Sequence, residues 1–225
     1  PCQVGTDTTW KETANGAGQI NGAYKTDGTL WTWGSNEHGQ LGLNDGGPSD
    51  SNSRSSPTQI PGTTWNFGAV SNSRNQAAIK TDGTLWTLDG RSSPTQVGTD
   101  TTWSNIVWGE SVALARKTDG TLWSWGYAGS GVLAQNDNTT LSSPTQIGTG
   151  TNWSNNIAMN KYHGAATKTD GTLWAWGRAS SGVLGMNTTE DGGLFISSPI
   201  QVGTDTTWSQ ERNGVTIGAQ GLFVL

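Results

Sequence analysis

Charge of either sign is scarce in this chain: 13% of its 225 residues are Asp, Glu, Lys or Arg, and the net charge is −5 at pH 7. Strong binding to a phosphate backbone needs a dense basic face, so the composition argues against a nucleic-acid partner. No run approaches the roughly 18 apolar residues of a membrane-spanning helix, which argues against membrane insertion. There is one cysteine, Cys2, so no internal disulfide can form, and a lone thiol assigns no redox compartment. The chain opens at Pro1 with no methionine and no recognisable signal segment. The expectation is that something upstream was removed or that the chain is part of a longer product. Helix-forming composition is missing as well. Only 32% of positions are hydrophobic while Gly reaches 33 residues, and a helical domain would draw on Ala, Leu, Glu and Lys instead.

What is present is tryptophan and repetition. There are 13 Trp against 3 Tyr and 3 Phe. Each Trp buries roughly 200 Å², enough to build a core that the low aliphatic content seems to deny. Two short phrases recur. The first, Lys25-Thr26-Asp27-Gly28-Thr29-Leu30-Trp31, returns at 80–86, 117–123 and 168–174, and a worn copy over 215–225 aligns without a gap onto 23–33. The second, Pro-Thr-Gln-Val-Gly followed by Trp, occurs at 57–65, 94–103, 144–153 and 199–208, and opens the chain at 1–10. Its tryptophans, Trp10, Trp65, Trp103, Trp153 and Trp208, recur at intervals of roughly 40–55 residues, the period of a β-propeller blade.

Each phrase has a physical reading. Asp-Gly between two extended runs predicts a β-hairpin, and a type I′ turn accepts this pair cheaply because both central residues need positive φ. The turn pairs are Asp27-Gly28, Asp82-Gly83, Asp119-Gly120 and Asp170-Gly171. Trp31 and Trp33 are two residues apart and share a strand face, as do Trp123 with Trp125 and Trp174 with Trp176. Trp31, Trp86, Trp123 and Trp174 are therefore expected to be mostly buried between blades. The proline phrase suits an edge strand, where a missing N–H does no harm, and the residues after its Trp supply the innermost strand. Four strands per repeat result. The termini carry complementary half-repeats, so residues 1–10 and 208–225 are expected to share a fifth blade, with 1–5 pairing beside 221–225. The expected fold is all-β: one five-bladed propeller over 1–225, with four-stranded antiparallel blades. The alternative is a fragment of a larger, seven-bladed ring.

The hairpin followed by Trp33-Gly34-Ser35-Asn36-Glu37-His38-Gly39-Gln40-Leu41-Gly42 resembles the repeat of the regulator-of-chromosome-condensation family. The third repeat keeps Trp125-Gly126 and a looser Gly129-Ser130-Gly131-Val132-Leu133. The fourth keeps Trp176-Gly177 and Gly182-Val183-Leu184-Gly185. The second, Trp86-Thr87-Leu88-Asp89-Gly90, lacks both the Trp-Gly pair and the loop. His163 falls where many family repeats place an inner-strand histidine. The resemblance implies a propeller, and its wording is most similar to environmental bacterial and phage versions.

Chemistry-bearing constellations are sparse. His38 and His163 have no Glu-x-x-His or Cys-x-x-Cys companion, so neither a metal site nor any other cofactor is expected. The loops 44–51 and 187–192 carry oxygen ligands that calcium accepts, but solvated turn chemistry explains them equally well. Sequons at Asn138, Asn152 and Asn187 arise by chance in a chain this rich in Asn, Ser and Thr. Trp108 is off-register and is the Trp to test for exposure.

Symmetry breaks in the connection from each hairpin to the next proline phrase. The stretches from Trp31 to Pro57, Trp123 to Pro144 and Trp174 to Pro199 are long, and that from Trp86 to Pro94 is short. Loops on a rigid scaffold carry recognition. The candidate binding residues are Asn36, His38, Gln40, Asp45 and Asp50 in the first loop, Tyr127, Asn136 and Asp137 in the third, and Arg178, Glu190 and Asp191 in the fourth. No catalytic residue is expected. The reading is a non-catalytic protein-interaction module. It would be a phage virion or tail-fibre component or a bacterial surface module, and hence extracellular or virion-associated. The alternative is a glycan-binding, lectin-like propeller. A lectin should keep one polar and aromatic set in several repeats, whereas these loops diverge.

Overall fold

A computed structural model describes residues 6–14, 20–37, 39–45, 52–70, 76–88, 93–186, 195–211, 214–218 and 221–224. They form two compact units, Pro1–Thr101 and Thr102–Leu225. The first holds two four-stranded antiparallel sheets. One is β1 (Trp10–Ala14), β2 (Ile20–Lys25), β3 (Leu30–Gly34) and β4 (Arg54–Gln59) in that order. The other is β5 (Trp65–Val70), β6 (Gln76–Lys80), β7 (Leu85–Thr87) and β8 (Thr95–Gln96). The second unit repeats the pattern twice. Its third sheet is β9 (Trp103–Trp108), β10 (Val112–Lys117), β11 (Leu122–Gly126) and β12 (Leu141–Gln146). The fourth is β13 (Trp153–Met159), β14 (His163–Lys168), β15 (Leu173–Arg178) and β16 (Phe195–Gln201). A two-stranded hairpin, β17 (Val215–Gly218) and β18 (Gly221–Val224), follows. In all four larger sheets the proline phrase forms the edge strand, as its missing N–H requires.

The Asp-Gly turn differs from its expected form. In each full repeat only the glycine takes positive φ, between 78° and 81° at Gly28, Gly83, Gly120 and Gly171. The Gly28 N–H bonds back to the Lys25 carbonyl at 3.1 Å, and the Lys25 N–H to Thr29 at 3.0 Å. This is a three-residue loop, a type I turn closed by a glycine bulge, rather than a type I′ turn. The aspartate works through its side chain: Asp27 Oδ1 accepts from the Thr29 N–H (3.0 Å) and hydroxyl (2.7 Å), and Thr29 Oγ1 accepts from Trp31 Nε1 (2.8 Å). The same relay runs Asp82–Thr84–Trp86, Asp119–Thr121–Trp123 and Asp170–Thr172–Trp174. The bonded carboxylates are held below the usual carboxylate pKa range, chiefly by the threonine hydroxyls. The terminal hairpin keeps a different register. It pairs Val215 with Val224 and Gly218 with Gly221, where the gapless alignment would set 215 against 223.

The two sets of repeat tryptophans differ in depth. Trp31, Trp86, Trp123 and Trp174 are half-buried, whereas Trp65, Trp103 and Trp153 of the proline phrase are buried. The reason is a repeated sandwich. Each hairpin Trp meets its phrase Trp edge-on, with ring centroids 5.9–6.2 Å apart, as Trp10–Trp31, Trp65–Trp86, Trp103–Trp123 and Trp153–Trp174. The lysine of the phrase, Lys25, Lys80, Lys117 or Lys168, lies 3.8 Å from the hairpin Trp centroid and 4.8–4.9 Å from the other. The second Trp of the strand goes deeper in the second unit: Trp125 and Trp176 are buried, while Trp33 is half-buried. Trp108 is half-buried and packs edge-on against Trp125 at 5.8 Å.

Candidate functional site

The rim loops are built on the strand exits, and their bases do repeat. Leu41, Leu133 and Leu184 are buried. The Thr32 hydroxyl donates to the Leu41 carbonyl at 2.9 Å, and the Ser124 hydroxyl to that of Leu133 at 2.6 Å. Trp176 Nε1 donates to the Val132 carbonyl at 2.9 Å, tying the third-sheet loop to the fourth sheet. The glycine after the second Trp is dictated by close approach. At Gly126 (φ 111°) and Gly177 (φ 101°) a Cβ would run into the carbonyls of Ser111 and Tyr162, and the next N–H, of Tyr127 or Arg178, bonds to that same carbonyl. Both features place the residue after Trp-Gly at a fixed exit from the sheet.

The candidate residues separate by burial. Asn36 is 0% exposed. Its amide donates to Asp45 at 3.0 Å and accepts from the Leu41 N–H at 3.0 Å. Asp45 is also paired with Arg54, and its carbonyl accepts from Asn52. Gln40 is buried and reaches Ser35 at 3.3 Å. In the first loop, then, Asn36, Gln40 and Asp45 fasten the loop to itself, and burial withdraws Asn36 and Gln40 from contact with a partner. Tyr127, Asn136, Asp137 and Arg178 are exposed. Asn136 holds a positive φ of 63° while its N–H bonds to Ser197 at 2.7 Å, and Asp137 caps Thr139 at 2.9 Å. His38, Asp50, Glu190 and Asp191 lie outside the described residues, as do Cys2, Asn187 and the segment 1–5 expected to pair with 221–225. Among the described residues no group of three His, Cys, Asp or Glu is placed to hold a metal ion.

One arrangement escaped sequence reading. Arg178 and Phe195 are direct partners across β15 and β16, and on its other side Arg178 donates its N–H to the Tyr162 carbonyl at 2.9 Å. His163 pairs with Gly177, so Tyr162 stands opposite Arg178. Laterally paired residues share a sheet face, and the result is a row Tyr162–Arg178–Phe195. Tyr162 and Phe195 are 37% and 49% exposed. The Arg178 guanidinium carbon lies 5.7 Å from the Tyr162 ring centroid, and Nε is held by Ser180 Oγ at 2.9 Å. Beneath the row His163 is buried, with Nδ1 3.1 Å from Asn160 Oδ1 and Nε2 without a partner. Burial, then the nearby Arg178 charge, pushes its pKa below the ordinary histidine value. The row spans three strands, so only the register brings it together.

Residues 27–71 match the model of the regulator of chromosome condensation (RCC1) repeat. That segment is an RCC1-type repeat. The chain is also similar to solved structures. It covers 89% of itself against human WBSCR16 at 20% identity and a TM-score of 0.73, and 54% of that structure. Yeast RCC1 (Prp20), solved bound to Kap60, gives 20% identity and a TM-score of 0.70, again over 89% of this chain and 50% of the other. Prp20p of Saccharomyces cerevisiae, described with its binding to Gsp1p and histones, gives 20% and 0.71 over 89% of this chain and 51% of that one. The chain therefore spans about half the length of the structures it matches. No curated protein matches it in sequence. At this identity the likeness shows an all-β propeller fold and nothing about partners.

Proposed function

We propose that this chain is a non-catalytic protein-interaction propeller that binds one asymmetric partner through its loop rim. The observation that carries the reading is the contrast between repeated and unrepeated chemistry. The Asp–Thr–Trp relay and the Trp–Lys–Trp sandwich recur in all four full repeats. The exposed rim residues do not recur: Tyr127 and Arg178 occupy equivalent exits with unrelated chemistry. Equivalent ligand sites would need equivalent side chains, which disfavours the glycan-binding alternative. The RCC1-type structures with named protein partners fit the same class. In its concrete form the partner is part of a virion, tail fibre or bacterial surface assembly. The scaffold would be five blades over 1–225, with β17 and β18 at the heart of the fifth.

The test is to replace 35–53, 127–141 and 178–196, one at a time, with the short 87–91 connection of the second repeat. Attachment to the carrier particle or complex should be lost while cooperative unfolding is kept. If all three replacements leave attachment intact, the rim is not the contact surface.

A further inference from the structure

We propose that the Tyr162–Arg178–Phe195 row is a docking anchor for a protein segment presenting an Asp or Glu carboxylate beside an apolar side chain. The inference rests on the protein-interaction reading above and names the chemistry of its partner. The row is exposed and tightly placed, because neighbouring strands lie about 4.8 Å apart and the Tyr162 carbonyl already holds the Arg178 N–H. Ser180 holds the exposed arginine at Nε. A guanidinium grips a carboxylate through two parallel hydrogen bonds. No carboxylate among the described residues pairs with Arg178. The neighbouring cation is different: Lys161 is taken by Glu110 at 2.9 Å. Phe195 then offers an open apolar face at one side of the arginine. Tyr, Phe and Arg are the residue types enriched where interfaces concentrate their energy.

Two comparisons narrow the partner. A sugar would stack on an unencumbered aromatic face, but Lys161 and Arg178 already lie over the Tyr162 ring at 5.3 and 5.7 Å. The third sheet places Ser111 and Tyr127 at the same exits, without a cation. The third sheet therefore lacks the anchor, which suits one partner rather than a ring of equal ligands. The chain's net charge of −5 gives an acidic partner no long-range attraction. Recognition must come from contact, and its salt dependence should be that of about one ion pair.

The experiment pans a yeast-displayed random dodecapeptide library on the full chain, with depletion on Arg178→Gln. Enriched peptides should carry Asp or Glu next to an apolar residue. A synthetic peptide from that set should bind roughly 10- to 100-fold more weakly to Arg178→Gln, as loss of a charge-assisted bond implies, and more weakly to Phe195→Ala. Its carboxylate-to-amide analogue should lose a similar factor. Both variants replace exposed side chains, and unchanged thermal unfolding serves as the folding control. Peptides that are basic, that bind Arg178→Gln equally, or that fail to enrich overturn the proposal. So does capture of arrayed glycans that Arg178→Gln abolishes. Loop replacement at 35–53 or 127–141 separates the two readings. If it abolishes natural attachment while Arg178→Gln does not, the interaction module stands and this anchor falls.

Discussion

Trp174 and Trp176 sit two residues apart on one strand, face the same side, and belong to the same repeat phrase, yet they should differ sharply under substitution. Trp176 is 0% exposed. A Trp buries roughly 200–250 Å², which at ~25 cal/mol per Å² is worth about 5–6 kcal/mol. Alanine recovers part of that, and measured Trp-to-Ala losses run about 3–5 kcal/mol. Trp176→Ala also leaves the Val132 carbonyl without its donor, adding about 1 kcal/mol or more. The expected loss is about 5 kcal/mol. Trp174 is partly exposed, so its transfer share is smaller, and with its edge contact with Trp153 and cation contact with Lys168 the expected total is about 3–4 kcal/mol.

The assay is equilibrium denaturation followed by circular dichroism, compared at constant m so that shifts in midpoint report stability. Trp176→Phe belongs in the set. It keeps an aromatic ring but removes the N–H, and should cost about 1–3 kcal/mol, most of it the orphaned carbonyl. Equal losses at 174 and 176, or a larger loss at 174, would refute the burial argument.

Gly120→Ala should cost clearly more than Gly148→Ala in the same assay. Both have positive φ, worth about 1–2 kcal/mol to any L residue, but at Gly120 the new methyl meets the Thr151 carbonyl while at Gly148 it meets nothing within 4 Å. Gly164→Ala should mimic Trp176→Ala in part, because the Trp176 indole lies where that methyl would go. His163 has a lowered folded pKa, so the unfolded chain binds the extra proton first. Its contribution is intact above the ordinary value of about 6.5 and is lost as pH falls through the folded value; His163→Gln should flatten the fall of the denaturation midpoint below about pH 6.5. At lower pH the lowered pKa of Asp119 acts with the same sign. Stability present above about pH 4 disappears on further acidification, and Asp119→Asn should blunt that limb while keeping the turn.

How much of this was legible in the sequence follows from how far each feature reaches along the chain. The Lys-Thr-Asp-Gly-Thr-Leu-Trp phrase contains nearly all of its own structure: the turn, the Asp–Thr–Trp relay and the bulge glycine fall within seven residues, so repetition exposes them. The turn type was misread because Asp-Gly also suits type I′, and the sequence does not show that a side-chain bond to Thr29 would fix the aspartate instead. The sandwich around the outer Trp is hard to read for a related reason. Its lysine partner is in the phrase, at Lys25, but the second ring, Trp10, comes from another strand, and only the folded sheet brings the three together.

The rim is less legible still. Asn36 and Tyr127 are both polar-capable residues in divergent loops, and composition cannot say that Asn36 points inward to bind Asp45 and Leu41 while Tyr127 stands 63% exposed. The Tyr162–Arg178–Phe195 row makes the limit concrete. Its members are separated by 16 and 17 residues of chain, beyond any local period, and each is unremarkable alone. Register makes them neighbours: once Trp176-Gly177 pairs with His163-Gly164, Arg178 must face Tyr162. The glycine at 177 matters because any side chain there would meet the Tyr162 carbonyl. The conserved-looking part of the repeat thus fixes the position, and the variable residue that follows supplies the contact. That division lets one scaffold carry unrelated side chains at equivalent exits, as it does at Tyr127 and Arg178.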